Sequence, residues 1–155
     1  FTLSSPNGAL SLSDLRGKVT LMFFGYTSCP DVCPMTLAVV SRVFADMTPA
    51  ELEKVTALFI SLDPGRDTLD LLRRYTQYFH PNIIGVTDRL EIIQDLTRRY
   101  GVHYERKERP DSALGYSISH TPDILVVDRE GELQQKRIPP QTQVKDITAH
   151  IRSLM

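Results

Sequence analysis

Val19-Thr20-Leu21-Met22-Phe23-Phe24-Gly25-Tyr26-Thr27-Ser28-Cys29-Pro30-Asp31-Val32-Cys33-Pro34 divides into three parts. Residues 19–26 are a near-continuous apolar run of the length expected for a strand buried on both faces. Residues 27–34 hold two cysteines, two prolines and an aspartate. From Pro34 onward, Leu37, Val40, Val43, Phe44 and Met47 recur at helical spacing, so an amphipathic helix over 34–47 is expected, with proline in its first turn. A central strand therefore runs through a cysteine loop into a helix.

Working outward, residues 2–12 alternate around Pro6-Asn7-Gly8 and predict a small hairpin, followed by a helical turn over 13–17. Thr48-Pro49-Ala50-Glu51 matches a capping box and opens a short helix. A second apolar strand spans 55–62 and closes on Asp63-Pro64-Gly65, after which Asp67 is expected to cap a helix reaching about Phe79. Residues 83–86 form a short strand, and Asp88 with Glu91 opens a helix that Gly101 stops. Residues 102–107 are expected to be extended and 109–117 to be a polar loop. Residues 124–127 form a further buried strand, which turns through 128–131 into a hairpin partner over 132–138, and a last helix starts near Thr142. This succession predicts an α/β fold: one domain over residues 1–155, with a mixed sheet flanked by helices and an N-terminal β-hairpin. A strand, a cysteine pair at a helix start, a β-α-β unit and a terminal β-β-α unit resemble the thioredoxin-like order, with extra elements inserted before the last hairpin.

The bulk composition narrows the function. The chain has 155 residues, 41% hydrophobic and 24% charged, which suits one soluble core. Net charge is -1 with scattered basic residues, so no field is concentrated for a nucleic acid, and none is expected as a partner. The stretch Tyr104-Glu105-Arg106-Lys107-Glu108-Arg109 alternates in sign and predicts a solvated strand or loop. No run approaches the roughly 20 apolar residues that cross a bilayer. Phe1-Thr2-Leu3 already has strand character, which leads us to expect that a targeting or anchor segment preceded it.

Two cysteines four positions apart are not the disulfide framework of a small scaffold. Thiolate is the reactive and metal-binding form, and a helix N-terminus favours it, so lowered thiol pKa values are expected here. Helical i,i+4 spacing holds two Cβ atoms roughly 5–6 Å apart. A disulfide wants about 3.5–4.5 Å. The open pair is therefore better suited to flanking one soft ion than to closing on itself. The competing reading, two inert core thiols, fits poorly with prolines and a carboxylate at a strand-to-helix junction.

A third ligand must come from elsewhere. His80, beside Pro81, and His150, at the edge of an amphipathic face, are expected at the surface, while His103 after Gly101 faces either way. His120, in Ser119-His120-Thr121-Pro122-Asp123, immediately precedes the buried strand. In thioredoxin-like folds that loop lies against the cysteine helix start, often with a cis proline, which makes His120 the preferred ligand and Thr121-Pro122 a candidate cis bond. Two thiolates and one imidazole suit copper(I), whereas structural zinc normally takes four protein ligands. Asp31 is either an added oxygen donor for copper(II) or zinc, or simply a carboxylate favoured by the helix dipole.

The segments Phe24 to Pro34, Ser61-Leu62-Asp63-Pro64-Gly65-Arg66-Asp67-Thr68 and His120-Thr121, taken in order, resemble the Sco/SenC copper chaperones. The resemblance implies a thioredoxin-like domain held by an N-terminal membrane anchor on the periplasmic side of a bacterial inner membrane, or in the mitochondrial intermembrane space. It implies copper bound through Cys29, Cys33 and His120. It also implies that the partner is the copper-centre subunit of cytochrome c oxidase, with other periplasmic copper chaperones or thiol reductants as further partners. Ser28, Ser119 and Pro122 depart from the family's commoner histidine, aspartate and apolar residue. Copper delivery and thiol–disulfide exchange, in which Cys29 and Cys33 are the catalytic pair, remain two open readings on the same residues. A peroxiredoxin-like peroxidase, which Val32-Cys33-Pro34 brings to mind, is disfavoured by Pro30 and Tyr26 at that family's threonine and proline positions.

Overall fold

A computed structural model describes residues 1–29, 32–111, 113, 115–139 and 141–155, with Val32 described in its backbone alone. Its centre is a four-stranded sheet in the order β5-β4-β3-β8. Strands β3 (Val19–Gly25), β4 (Val55–Ser61) and β5 (Ile83–Val86) are parallel, and β8 (Leu125–Val127) runs antiparallel against β3. Every residue of β3 and β4 is buried, so both faces of the sheet are covered, as their unbroken apolar runs require. The N-terminal hairpin, β1 (Thr2–Ser5) with β2 (Gly8–Ser11), leans on the far edge through a bridge from Ser4 to Thr87.

Helix α1 (Val32–Ala45) buries Leu37, Val40, Val43 and Phe44 and packs on α5 (Val144–Leu154) and α3 (Leu69–Phe79). It starts two residues before the expected Pro34, which takes the third helical position, where its missing N–H costs nothing. The short helix α2 (Pro49–Leu52) has the predicted capping box: Glu51 N–H donates to Thr48 Oγ1, and Thr48 N–H donates to the Glu51 carboxylate. Helix α4 (Leu90–Arg99) ends before Gly101, whose φ of 64° is left-handed.

Four local expectations need correction. Thr68, not Asp67, caps α3, because Asp67 is turned inward to other partners described below. The N-cap of α4 is Arg89, with no side-chain cap bond, since Asp88 instead accepts from Arg89 N–H and Ser4 Oγ. The expected polar loop is shorter than 109–117, because its two ends are strand: β6 (Tyr104–Arg109) and β7 (Gly115–His120) form a two-stranded ribbon that does not join the central sheet. The charged β6 carries no apolar signal because all of its residues after Tyr104 are exposed. The predicted partner strand over 132–138 reduces to two bridges, Ile124 to Ile138 and Val127 to Leu133.

Pairing of Gly25 with Ser61 and of Met22 with Leu125 puts three segments at one edge of the sheet: the cysteine loop after β3, residues 62–67 after β4, and the stretch entering β8. The C-terminal edge of parallel strands is where α/β folds gather ligands.

Candidate metal centre

Cys29 and Cys33 lie at the junction of β3 and α1. Cys29 N–H donates to the Tyr26 carbonyl at 3.1 Å, closing the turn that follows the strand. Cys33, in the first turn of α1, is 1% exposed, and Cys29 is 9% exposed. A Cβ placed on Gly25 would stand 2.5 Å from Cys33 Sγ and 2.7 Å from Phe59 Cε2. The last residue of β3 is glycine because the sulfur occupies the space a side chain would fill.

His120 ends β7 and faces inward by register. Across the ribbon, Tyr104 pairs with His120, Arg106 with Ile118 and Glu108 with Tyr116, so these six share one face, while Ser117 and Ser119 take the other. His120 Nε2 lies 3.7 Å from Cys33 Sγ. Its Nδ1 is 3.1 Å from the Thr121 carbonyl, which can only accept, so Nδ1 carries the proton and Nε2 presents a lone pair toward the sulfurs. The two Sγ atoms and a His120 nitrogen all lie within 4.8 Å of one another. Bonds of about 2.0–2.3 Å put these donors within reach of one ion.

The Thr121-Pro122 bond is trans, as are all peptide bonds among the described residues. Ribbon pairing supplies the positioning instead: Thr121 N–H donates to the His103 carbonyl at 2.9 Å and Thr121 Oγ1 accepts from His103 N–H at 2.7 Å. His103 is exposed and outside the cluster. His80 and His150 are half-buried rather than solvated. The His80 ring packs edge-on to Phe44 at 5.2 Å, and desolvation lowers the pKa of both histidines. Asp31 lies outside the described residues.

The thiol electrostatics also depart from expectation. The pKa of Cys33 is pushed up, first by its hydrogen bond with Cys29, then by burial and by the nearby charges of Cys29 and Asp67. The neighbouring thiol and burial together outweigh the helix terminus at this sulfur.

Two features of the site have no signal in local periodicity or capping patterns. Asp67, 1% exposed, accepts from Thr27 N–H at 3.0 Å, Thr27 Oγ1 at 2.6 Å and Ser61 Oγ at 2.7 Å, and so ties the start of the cysteine loop to the end of β4. Tyr26, whose hydroxyl accepts from Ile118 N–H at 3.3 Å and whose ring meets His120 edge-on at 6.1 Å, has its pKa raised mainly by burial. The Ser61 to Thr68 segment signals Asp67 only through the family motif, since an aspartate before a helix reads as a cap.

A buried dithiol beside an oriented imidazole, at the C-terminal edge of a thioredoxin-like sheet, defines a soft-donor metal-binding domain. The SCO1/SenC family model matches residues 1–155, and the chain belongs to that family. It is 34% identical over 133 residues to a SCO2-like protein of Rickettsia conorii, covering 85% of this chain and 64% of that relative's length. It superposes on Bradyrhizobium japonicum ScoI with copper bound at a TM-score of 0.89 and 33% identity, covering 100% of this chain and 97% of the other. Arabidopsis thaliana ScoI with copper bound gives a TM-score of 0.88 at 30% identity, with coverage of 99% and 94%.

Proposed function

We propose that this protein is a copper-binding chaperone, holding copper as cargo through Cys29, Cys33 and His120. It delivers copper to the dinuclear centre of cytochrome c oxidase or keeps that centre's thiols reduced. The observation that carries the reading is the convergence of two sulfurs and an imidazole within 4.8 Å, with His120 Nδ1–H donating to the Thr121 carbonyl. Two soft donors and one borderline donor select copper(I) over hard cations. Copper bound in two solved family members supports the same choice. The copper-centre subunit as acceptor, the single-domain organisation over 1–155, and action on the periplasmic or intermembrane-space side of a membrane follow the family resemblance and belong to this proposal.

Anaerobic titration of the reduced protein with copper(I) and copper(II), followed by sulfur-to-copper absorption, tests it. One tight site per chain is expected, strongly weakened in His120→Ala. No tight site, or an unchanged affinity in that variant, overturns the three-ligand model.

The proximity of the two sulfurs, within 4.8 Å of each other, favours a second reading, thiol–disulfide exchange. One thiolate attacks a partner disulfide, the other resolves the mixed disulfide, and two electrons and two protons pass to the partner as Cys29 and Cys33 become a disulfide. His120→Ala separates the readings, because the exchange does not need the imidazole.

A further inference from the structure

The ribbon that carries His120 stands apart from the central sheet, so something must hold it against the cysteine loop. Tyr116 lies four residues before His120 on the same inward face. Its ring centroid is 3.7 Å from Arg66 Cζ and 3.6 Å from Arg106 Cζ. Two guanidinium groups so close to one centroid must occupy opposite faces, which makes the ring the middle layer of a cation-π stack. The Tyr116 hydroxyl donates to Asp63 Oδ1 at 2.5 Å, and the other oxygen of Asp63 is held by Arg66 Nε. Asp63 is 4% exposed, and its carbonyl accepts from Arg66 N–H at 3.1 Å and Asp67 N–H at 2.8 Å.

Residues 63–67 therefore grip both halves of the site. Asp67 takes Thr27, two residues before Cys29, while Asp63 and Arg66 take Tyr116, four residues before His120. We infer that this loop sets the distance between the dithiol and the imidazole, with Asp63, Arg66 and Tyr116 acting as positioning residues for the third copper ligand through β7. The inference rests on the copper reading of Cys29, Cys33 and His120. It predicts that loosening Tyr116 costs affinity only where an imidazole is there to be positioned.

A double-mutant cycle tests this, with copper(I) affinity measured by competition against a chelator. Tyr116→Ala is expected to weaken binding about 10-fold, the lower end for lost support of a metal ligand, and to add nothing in a His120→Ala background. Tyr116→Phe keeps the stacked ring and removes only the bond to Asp63, so it should show a smaller loss, confined to the background that retains His120. In the metal-free protein, hydrogen exchange of β6 and β7 amides should accelerate in Tyr116→Ala while β3 and β4 stay protected. Equal losses in both backgrounds, or ribbon amides that exchange as in the wild type, overturn the inference. A wild-type protein that binds no copper sinks the copper reading and this role with it, a result distinct from additive losses in a protein that does bind.

Discussion

Gly25 is the residue on which the dithiol depends most directly. Any side chain there collides with Cys33 Sγ and the Phe59 ring, both held in a packed interior that cannot move aside freely. Gly25→Ala should destabilise the fold by about 1–3 kcal/mol, the usual range for overpacking, and should shift the sulfur-to-copper absorption because the sulfur itself is displaced. Denaturant unfolding and a copper titration of the same variant check both halves of the statement. Asp67 acts at the same scale through hydrogen bonds. Asp67→Asn keeps the shape but puts donors where Thr27 and Ser61 already donate, so a loss of about 1–3 kcal/mol is expected for the buried groups left unmatched. Asp67→Ala should cost at least as much, and a neutral effect of both substitutions would contradict the role given to this carboxylate.

Among the elements, α2 and α5 are joined at their surface by Arg152, whose Nε donates to Glu51 Oε2 at 2.7 Å and whose terminal nitrogen donates to Oε1 at 3.2 Å. The hydrogen bond from Arg152, with help from Thr48, holds the Glu51 carboxyl down to about 2 from its ordinary 4.5. A carboxyl lowered in the folded state contributes stability that is complete above its unfolded value and is lost as the pH falls through the folded one. Stability should therefore decline between about pH 4.5 and pH 2 on account of this group. Glu51→Gln should lose less over that window than the wild type, as followed by acid titration of the circular dichroism signal. The ribbon gives the contrasting lesson. Alternation along β6 and β7 turns His120 inward without any apolar run to announce it, because positions on the same face such as Arg106 and Glu108 are exposed and carry charge.

For the whole molecule, copper as a ligand of the folded state alone should raise stability by mass action. At a free concentration 100-fold above its dissociation constant the gain is about 2.7 kcal/mol, or about 5–10 °C in Tm for a chain of this size. Anaerobic calorimetry should show that increment in the wild type and its loss in Cys33→Ser. A melting point unmoved by copper(I) would contradict a site formed only on folding, since Cys29 and His120 lie 91 positions apart in the sequence.

The order of the central strands and helices, the burial of those strands, the α2 capping box and the cysteine loop at a strand-to-helix junction are determined by sequence alone. Each is a matter of local periodicity or of neighbouring residues, and His120 was within reach because it directly precedes a recognisable buried strand. Only the tertiary structure decided the rest. It turned Asp67 from a helix cap into the tie between Ser61 and Thr27, filled the space above Gly25 with a sulfur, raised the Cys33 pKa where a helix terminus alone would lower it, and kept Thr121-Pro122 trans. These outcomes depend on burial and on contacts between residues distant in the chain. Periodicity reports which face of an element is apolar, but not which polar group is waiting for it on the other side.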